Sequence, residues 1–298
     1  MKLRDFSQHA YEPWREAVLA AHSDRATTTP VAIADLGNPS ESERAKLVKN
    51  CLSANLSLYS TATISQDLAE IRADLRRFSH ALGLRIAERH RSAGQDGIVA
   101  LTVTKAARQR GYIPYSSRAM NWHTDGYYNA PGEQIGAMVL HCARAAEDGG
   151  ANQFLDHNVA YIRLRDQNPA YATALSQSQA MTIPENRKTD GSVRPVSVGP
   201  VFSIDQDGHL AMRYTARTRS IFWHDDTVTP LGAQALQEML EQEDPLMLGL
   251  KLVPGQGILC NNVLHNRTGF DMGSEEASAR QSQRVMFRIR FHNRVKEG

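Results

Sequence analysis

The spacing of apolar side chains predicts helices in the first third of the chain. Leu68, Ile71, Leu75 and Phe78 recur every three or four residues, which places them on one face of a helix. The segment Ser40-Glu-Ser-Glu43 has the composition of a helix start. We therefore expect the chain up to about residue 100 to be mixed but largely helical, and to pack around a sheet.

Beyond that point, short apolar runs separated by turn residues predict strands. The last run, Arg284 to Phe291, alternates most regularly, with one wholly apolar face and one face that carries three arginines and a methionine. Asp205-Gln-Asp-Gly208 lies between two runs and is a hairpin signal. The other predicted strands are Val99 to Val103, Ile135 to Cys142, Asn152 to Leu155, Pro200 to Ile204, Leu210 to Tyr214, Leu246 to Val253 and Ile258 to Val263.

Two helices and a loop interrupt this series of strands. Asp156 is a suitable N-cap for a helix over Asn158 to Arg165, and Thr229-Pro230 begins another helix that runs to about Gln242. The residues between Gly273 and Ser282 are small, polar and charged, which predicts a surface loop.

Many short strands with helices on the outside indicate a mainly β fold with flanking helices. The architecture that fits is a double-stranded β-helix, the jelly roll of cupin-like proteins. Enzymes of this type often form one unit at this length, so we expect a single domain over residues 1–298. Its helical N-terminal part would cover residues 1–100, and its jelly-roll core would cover residues 100–295.

Composition favours a globular protein that binds a small molecule. Hydrophobic residues make up 41% of the chain and charged residues 22%, which suffices for a substantial core. Lys and Arg outnumber Asp and Glu by only 34 to 32, and no long basic run occurs, so we expect no nucleic-acid partner. A homo-oligomer is compatible with the sequence.

The cysteines and the N-terminal segment bear on the compartment. Cys51, Cys142 and Cys260 are odd in number and far apart, which argues against disulfides and zinc knuckles and favours the reducing cytoplasm. The first residues lack the apolar core of a signal peptide, and no apolar stretch has the length of a membrane span. We therefore expect neither secretion nor a membrane partner.

The candidate chemistry begins with a spacing of histidine and aspartate. His-x-Asp occurs three times, at His22, His123 and His224, and a chain with eleven histidines produces such matches by chance. In the middle copy, His123-Thr-Asp125, Trp122 comes before the histidine, and Gly126-Tyr-Tyr128 and a predicted strand come after the aspartate. It is therefore the best candidate of the three.

Four segments in order then resemble a known family. They are Asn121-Trp-His-Thr-Asp-Gly126, Val139-Leu-His-Cys142, Asp148-Gly-Gly-Ala-Asn152 and Asn262-Val-Leu-His-Asn-Arg-Thr-Gly269. Together they resemble the Fe(II)/2-oxoglutarate-dependent dioxygenases of the taurine dioxygenase (TauD/TfdA) type, including the γ-butyrobetaine hydroxylase branch. The resemblance spans roughly residues 100 to 295, and its specificity comes from order and spacing.

The resemblance implies that His123, Asp125 and His265 bind Fe(II). The family places its second metal histidine far downstream of the first, and His265 follows His123 by 142 residues. Alternation along a strand lets His123 and Asp125 point to the same side. Two imidazoles and one carboxylate leave coordination positions open for 2-oxoglutarate and O2. The competing interpretation is a core His123 and a surface His265 that bind no metal.

Asp125 also bears on the reaction. Related halogenases have a small residue at this position, which leaves room for chloride. A carboxylate here favours hydroxylation or a similar oxidation over halogenation.

The arginines of the last strand are candidates for co-substrate binding. A planar guanidinium suits the distal carboxylate of 2-oxoglutarate. By the family's motif Arg284 takes this role, and Arg288 contacts the co-substrate or an acidic group of the substrate. Arg290 is a rival because the segment from Asp271 to Gln283 makes the register less certain. Periodicity alone would favour a solvated arginine face.

Further residues are assigned by their position in the motifs. The family uses a hydroxyl group near the Gly-Gly turn to bind the co-substrate, and this chain has Asn152, whose amide can also donate to a carboxylate. Trp122 and Tyr128 are candidates to line a substrate pocket, although aromatic residues beside strands more often pack in a core. His141 and Cys142 lie in an apolar run and are expected in the core.

The sequence therefore predicts a dioxygenase that hydroxylates an aliphatic carbon and releases succinate and CO2. Arg288 favours a small anionic substrate, whereas the betaine hydroxylase likeness favours a quaternary amine held by aromatic rings. Two other hypotheses about the function stay open. One is a cupin-like metal-binding protein without turnover, for sensing or storage, and the other is a sugar-binding jelly roll in which the histidines are incidental.

Overall fold

The structure is a computed structural model that describes residues 1–3, 5–23, 29–87, 96–104, 112–130, 132–187, 191–217, 221–271 and 284–296. Its helices are α1 (Gln8–Ser23), α2 (Glu41–Ala54), α3 (Leu68–Ala81), α4 (His157–Gln167), α5 (Pro169–Leu175) and α6 (Thr229–Glu241). Its strands are β1 (Val31–Ile33), β2 (Leu56–Thr61), β3 (Val99–Leu101), β4 (Met120–His123), β5 (Ala137–Arg144), β6 (Asn152–Leu155), β7 (Met181–Ile183), β8 (Asn186–Arg187), β9 (Val193–Arg194), β10 (Ser197–Gly199), β11 (Phe202–Ile204), β12 (Leu210–Met212), β13 (Phe222–Trp223), β14 (Leu248–Leu250), β15 (Gln256–Cys260), β16 (Leu264–Arg267) and β17 (Val285–Phe291).

The chain forms two compact units. The first comprises Met1–Ser23, Asn121–Gln134 and Leu155–Met247, and the second comprises Asp24–Met120, Ile135–Phe154 and Leu248–Gly298. The single domain expected from length stays a prediction.

The second unit is organised around a six-stranded sheet with the order β1-β2-β15-β5-β17-β3. Strand β15 runs antiparallel to β2 and β5, and β17 runs antiparallel to β5 and β3. Strand β1 is the parallel exception, paired to β2. A second, four-stranded sheet has the order β14-β6-β16-β4. Strands that follow one another along the chain can belong to different sheets: β14 lies in the four-stranded sheet and β15 in the six-stranded one.

Two apolar cores lie on the two faces of the six-stranded sheet. One contains side chains of α2 and α3, among them Leu47, Leu75 and Phe78. The other contains Phe154 of β6, together with residues of β2, β5 and β15. Helices on one face of a sheet and strands on the other give the layered second unit.

The predicted alternation of the last strand is confirmed. Val285, Phe287, Ile289 and Phe291 belong to the helix-side core, and Met286 belongs to the opposite core. The arginines of that opposite face are not solvated, since Arg284 and Arg290 are buried and Arg288 is half-buried. The solvated arginine face that periodicity favoured is therefore wrong.

Local signals of the N-terminal part and of α4 are also confirmed. Ser40 caps α2 through a capping box with Glu43, whose side chain accepts a hydrogen bond from the Ser40 backbone N–H. Asp156 caps α4 by accepting a hydrogen bond from the Asn158 backbone N–H. The two runs that flank Asp205-Gln-Asp-Gly208 form an antiparallel pair, β11 with β12.

The first unit combines α1, α4, α5 and α6 with small sheets. Strands β10, β7 and β13 form one sheet, and the pairs β11–β12 and β8–β9 form two more. In the core of this unit, the ring of Tyr161 packs against four other aromatic rings, those of Phe6, Tyr11, Trp14 and Phe202.

Two further expectations concern segments at the limits of the described structure. The surface loop predicted between Gly273 and Ser282 lies outside the described residues. Among the helices that are described, none combines the length and the apolar content needed to cross a bilayer.

Gly257 of β15 generates a prediction about stability. A Cβ atom at this position would overlap the phenol ring of Tyr59, whereas a Cβ at Gly249 of β14 would meet only the Gln153 Cγ, at 4.0 Å. Because overpacked core sites cost about 1–3 kcal/mol, Gly257→Ala is expected to lower the free energy of unfolding in urea by that amount. Gly249→Ala is the control and should change it by no more than about 0.5 kcal/mol. Equal effects of the two changes would contradict the close packing of Gly257 on Tyr59.

Candidate metal centre

His123 is the last residue of β4 and Asp125 lies in the turn that follows, with Thr124 held between them. The Thr124 backbone N–H donates to the Tyr214 carbonyl at 2.9 Å, and the Tyr214 N–H donates back to the Thr124 hydroxyl at 3.1 Å. Thr124 is fully buried by this contact. Since neighbouring side chains of an extended segment point to opposite sides, His123 and Asp125 face together away from Tyr214. Gly126 then ends the segment with a φ of 68°.

His265 lies on β16, which is the neighbour of β4 in the four-stranded sheet. Its ring stacks on Phe154 of β6, with ring centroids 6.2 Å apart. One ligand atom from each of His123, Asp125 and His265 lies within 4.8 Å of the others, and all three residues are buried. Within the described residues this is the one group of three or more potential metal ligands that converges in this way.

Both imidazoles are oriented by the same kind of hydrogen bond, from the ring to a backbone carbonyl two residues earlier. The Nδ1 of His123 lies 2.9 Å from the Asn121 carbonyl, and the Nδ1 of His265 lies 2.9 Å from the Val263 carbonyl. A carbonyl can only accept, so each Nδ1 carries the proton and each Nε2 keeps a lone pair for a metal. Two neutral imidazoles and one carboxylate are a donor set that fits Fe(II) with open positions.

The described residues of the rival His-x-Asp copies have contacts near helix starts. Asp226, in the copy that begins at His224, accepts hydrogen bonds from the backbone N–H groups of Val228 and Thr229 at the start of α6. His22 binds Asp156 at 2.9 Å, at the start of α4. The aspartate that completes the first copy lies outside the described residues.

Arg284 lines a small recess of the second unit. It is buried, its guanidinium lies 5.0 Å from the ring centroid of Phe270, and no hydrogen bond joins it to another described residue. Burial lowers the pKa of Arg284, which shows that its charge is poorly solvated. The recess is lined by Ala145, Ala146, Gly149, Gly150, Asn152, Lys251, Leu252, Arg284 and Met286.

The Gly149-Gly150 turn shapes this recess. Both glycines have positive φ angles, of 68° and 73°. A Cβ at Gly149 would overlap the Gly269 carbonyl, and a Cβ at Gly150 would lie 3.4 Å from the Arg284 Nε. Glycine is therefore favoured at both positions by the positive φ angles, and at Gly149 also by the lack of space for a Cβ against the Gly269 backbone.

Asn152 connects the recess to the segment that carries His265. Its Nδ2 donates to the carbonyl of Asn266 at 2.8 Å, and one N–H of the amide is left. The Asn266 amide in turn donates to the Gln153 Oε1 at 2.7 Å. The strand pair that carries Asn152 and His265 is thus tied by side chains as well as by its backbone.

The other arginines of β17 lie outside this recess. Neither Arg288 nor Arg290 is among its lining residues. Arg288 pairs with Leu140, and Arg290 pairs with Met138, further along β5. A register shift between Val285 and Met286 separates Arg284 from this regular part of the strand.

The predicted substrate residues differ in exposure. Trp122 is buried, with 7% of its surface exposed, so packing accounts for it. Tyr128 is half-buried, meets Tyr127 edge to face, and has the guanidinium of Arg194 5.6 Å from its ring centroid. His141 and Cys142 are buried, as expected for core residues.

Two arginines at these sites were not found from the sequence. Arg267, two residues after His265, donates to the carbonyls of Ser116 and Arg118 and lies 4.9 Å from the Phe270 ring centroid. Arg194 reaches Tyr128 from β9. Arg267 lies inside the motif that contains His265, which is a usable signal, whereas nothing in the sequence near Arg194 connects it to Tyr128.

Comparisons with known proteins identify the family of the chain. Residues 66–289 match the family model described as "Taurine catabolism dioxygenase TauD, TfdA family". A uridine-5'-phosphate dioxygenase from Amycolatopsis sp. is 31% identical over 155 residues, which cover 50% of this chain and 54% of that protein. The chain thus spans about half the length of this curated relative.

Solved structures share the fold at low identity. The non-haem iron oxygenase OrfP, in complex with Fe, succinate and (3S)-hydroxy-L-Arg, superposes with a TM-score of 0.62 at 13% identity, over 97% of this chain and 98% of that one. Asparagine oxygenase superposes with a TM-score of 0.61 at 13% identity, over 96% and 91%. These likenesses show the predicted jelly-roll fold, here with open sheets and flanking helices.

The converging side chains are the set predicted for Fe(II), and the solved structures share the predicted fold. The chain belongs to the TauD/TfdA family. The family predicted from the four motifs is confirmed. The likeness to its γ-butyrobetaine hydroxylase branch stays a prediction.

The three candidate metal ligands, His123, Asp125 and His265, generate a prediction about iron binding. His123→Ala and His265→Ala each remove one of the three candidate ligands, so each is expected to weaken Fe(II) binding by more than about a hundredfold, measured by anaerobic titration. His224→Ala is the matched control, because it alters another His-x-Asp copy, and it should bind Fe(II) like the parent. Loss of iron in His224→Ala, or its retention in both other variants, would contradict the assignment.

Proposed function

We propose that this chain uses Fe(II) and 2-oxoglutarate to hydroxylate an aliphatic carbon of a small anionic molecule, with succinate and CO2 as co-products. The observation that carries the proposal is the buried convergence of His123, Asp125 and His265 within 4.8 Å. The assignment of these residues as ligands rests on their chemistry and on the family's motif order. A bound ferrous ion would supply oxygen activation at its open positions.

The protein's own part is orientation and exclusion of water. The hydrogen bonds from Nδ1 of His123 and His265 to backbone carbonyls fix both rings. Phe154, which is fully buried, covers one face of the His265 ring. A ligand set held in this way changes little when a metal binds, which is what a site for repeated turnover needs.

Arg284 is our candidate for the distal carboxylate of 2-oxoglutarate. A buried guanidinium without an acidic partner among the described residues carries a desolvation cost that a bound carboxylate would offset. Asn152 lines the same recess with a spare amide N–H. Two donors of different geometry on one carboxylate would set the direction in which the co-substrate enters.

An anionic substrate is favoured over a betaine. A quaternary amine needs open aromatic faces. Tyr128 already has the Arg194 guanidinium over its ring, and Trp122 is buried by packing. Arg194 and the half-buried Arg288 would attract an anion instead. The relative that is called a uridine-5'-phosphate dioxygenase also has an anionic substrate in its name, so a nucleoside phosphate is the second candidate.

The co-substrate assignment generates a prediction. Arg284→Gln removes a charge-assisted, bidentate contact, so the Kd for 2-oxoglutarate of the Fe(II)-loaded protein should rise by about a hundredfold, measured by the absorbance of the metal-bound co-substrate. Iron binding itself should be unchanged. Arg290→Gln is the matched control on the same strand face. A larger effect of Arg290→Gln, or of Arg288→Gln, would transfer the role to that arginine.

Turnover is tested by succinate formation. The Fe(II)-loaded protein is supplied with 2-oxoglutarate, ascorbate and one test compound at a time: small amino acids, sulfonates, short diacids, betaines, uridine-5'-phosphate and uridine. We expect an anionic compound to stimulate succinate release, and uridine to be inert if uridine-5'-phosphate is active. Stimulation by betaines alone would contradict the anionic substrate. Iron binding without succinate from any compound would favour the sensor or storage function.

A further inference from the structure

A cavity of about 310 Å³ opens on the helix side of the six-stranded sheet, within the second unit. Its wall is formed by the β1–α2 connection, the end of β2, helix α3 and part of β5. It shares no lining residue with the predicted iron site or with the recess of Arg284. This volume is at the lower end of the range for small-molecule sites, since that range begins at about 300 Å³.

His141 forms the buried base of this cavity. The residue is 2% exposed and lines the cavity, although it belongs to the middle of β5. Its Nδ1 lies 3.1 Å from the Tyr59 hydroxyl, and the two rings stack with centroids 5.9 Å apart. Among the described residues Nε2 has no hydrogen-bond partner, so half of the imidazole's hydrogen-bonding capacity is unused.

The tautomer of His141 follows from Tyr59. The phenol has no other partner among the described residues, and a buried hydroxyl donates where it can. Tyr59 therefore donates to Nδ1, and the ring proton resides on Nε2. Burial lowers the pKa of His141 to about 4, so the imidazole is neutral at physiological pH. The base of the cavity thus offers one neutral N–H donor, which needs an acceptor such as a hydroxyl oxygen.

The rim of the cavity is acidic and incompletely neutralised. Asp35, Glu70 and Asp74 all line it, and of these only Asp74 has an ion pair among the described residues, with Arg77. The Asp35 carboxylate accepts from the Gly37 N–H, and Glu70 accepts from the hydroxyl of Ser65. Within the part of the chain that the structure describes, two of these carboxylates therefore lack a cation.

The carboxylates also act on one another. Burial raises the pKa of Asp74, and the negative charges of Asp35 and Glu70 raise it further against the opposing effect of Arg77. A positive charge placed among the three would relieve this repulsion. A metal ion is disfavoured, because the one converging set of three metal-binding side chains in the described structure is His123, Asp125 and His265.

We propose that this cavity is a second binding site, separate from the iron centre, for a small hydroxylated organic cation of the amino-sugar class. The ammonium group would lie among Asp35, Glu70 and Asp74, and a hydroxyl oxygen would accept from the His141 Nε2–H. Thr61, Thr63 and Ser65 give the wall a polar character that suits the remaining hydroxyl groups.

The test uses three sugars of one size and different charge: glucosamine, glucose and glucuronate. Binding is measured by calorimetry on the full chain at low salt, at a pH at which the amine is protonated. The His141 Nε2–H resonance is followed by NMR as a local readout. We expect saturable binding of glucosamine that shifts this resonance, and weaker binding of glucose and glucuronate in that order.

Charge variants then locate the site. Glu70→Gln should weaken glucosamine binding by roughly threefold to fivefold, as expected for a partly solvated ion pair. Glu41→Gln is the matched control, since Glu41 and Glu70 both lie in the first turn of a helix and only Glu70 lines the cavity. Failure of glucosamine to bind, equal binding of glucose, or equal weakening by both variants would each overturn the proposal. None of these results depends on dioxygenase activity.

Discussion

The orientation of two imidazoles by backbone carbonyls is the constraint on which the rest of this site depends. His123 and His265 each donate from Nδ1 to the carbonyl two residues earlier, so the extended backbone itself presents Nε2 on the metal side. Thr124 adds a second restraint through its paired contacts with Tyr214. The orientation of these two candidate ligands therefore depends on the conformation of the backbone beside them and not on long networks of side chains.

The buried arginine of β17 shows how the fold prepares for a charged ligand. Arg284 lies beside an aromatic ring and a glycine turn, and no acidic side chain among the described residues neutralises it. Such a group is costly in a protein interior unless a partner arrives from solution. The Gly149-Gly150 turn lies close beside it, since a Cβ at Gly150 would be 3.4 Å from the Arg284 Nε.

Much of this arrangement could be predicted from the sequence because it is local. Capping by Ser40 and Asp156 and the alternation of Val285 to Phe291 follow from patterns within a few residues. The spacing of His123, Asp125 and His265 was informative because the motifs occur in a fixed order. Periodicity alone predicts a solvated face for Arg284, and only the family's motif indicated otherwise. Arg194 was missed because its contact with Tyr128 depends on how the turn after β4 packs against the distant strand β9.

The position of β4 in its sheet has a consequence for dynamics. It is the edge strand of the order β14-β6-β16-β4, and an isolated bridge from His123 to Thr215 supports its outer side. Hydrogen bonds from the Ala216 N–H to the Trp122 carbonyl and from the Thr124 N–H to the Tyr214 carbonyl also lie on that side, so this edge is covered rather than exposed. Ion capture would tie that edge to the inner strand that carries His265. Amide hydrogens of β4 should then exchange more slowly in the loaded protein, while those of β5 in the central sheet stay as they were.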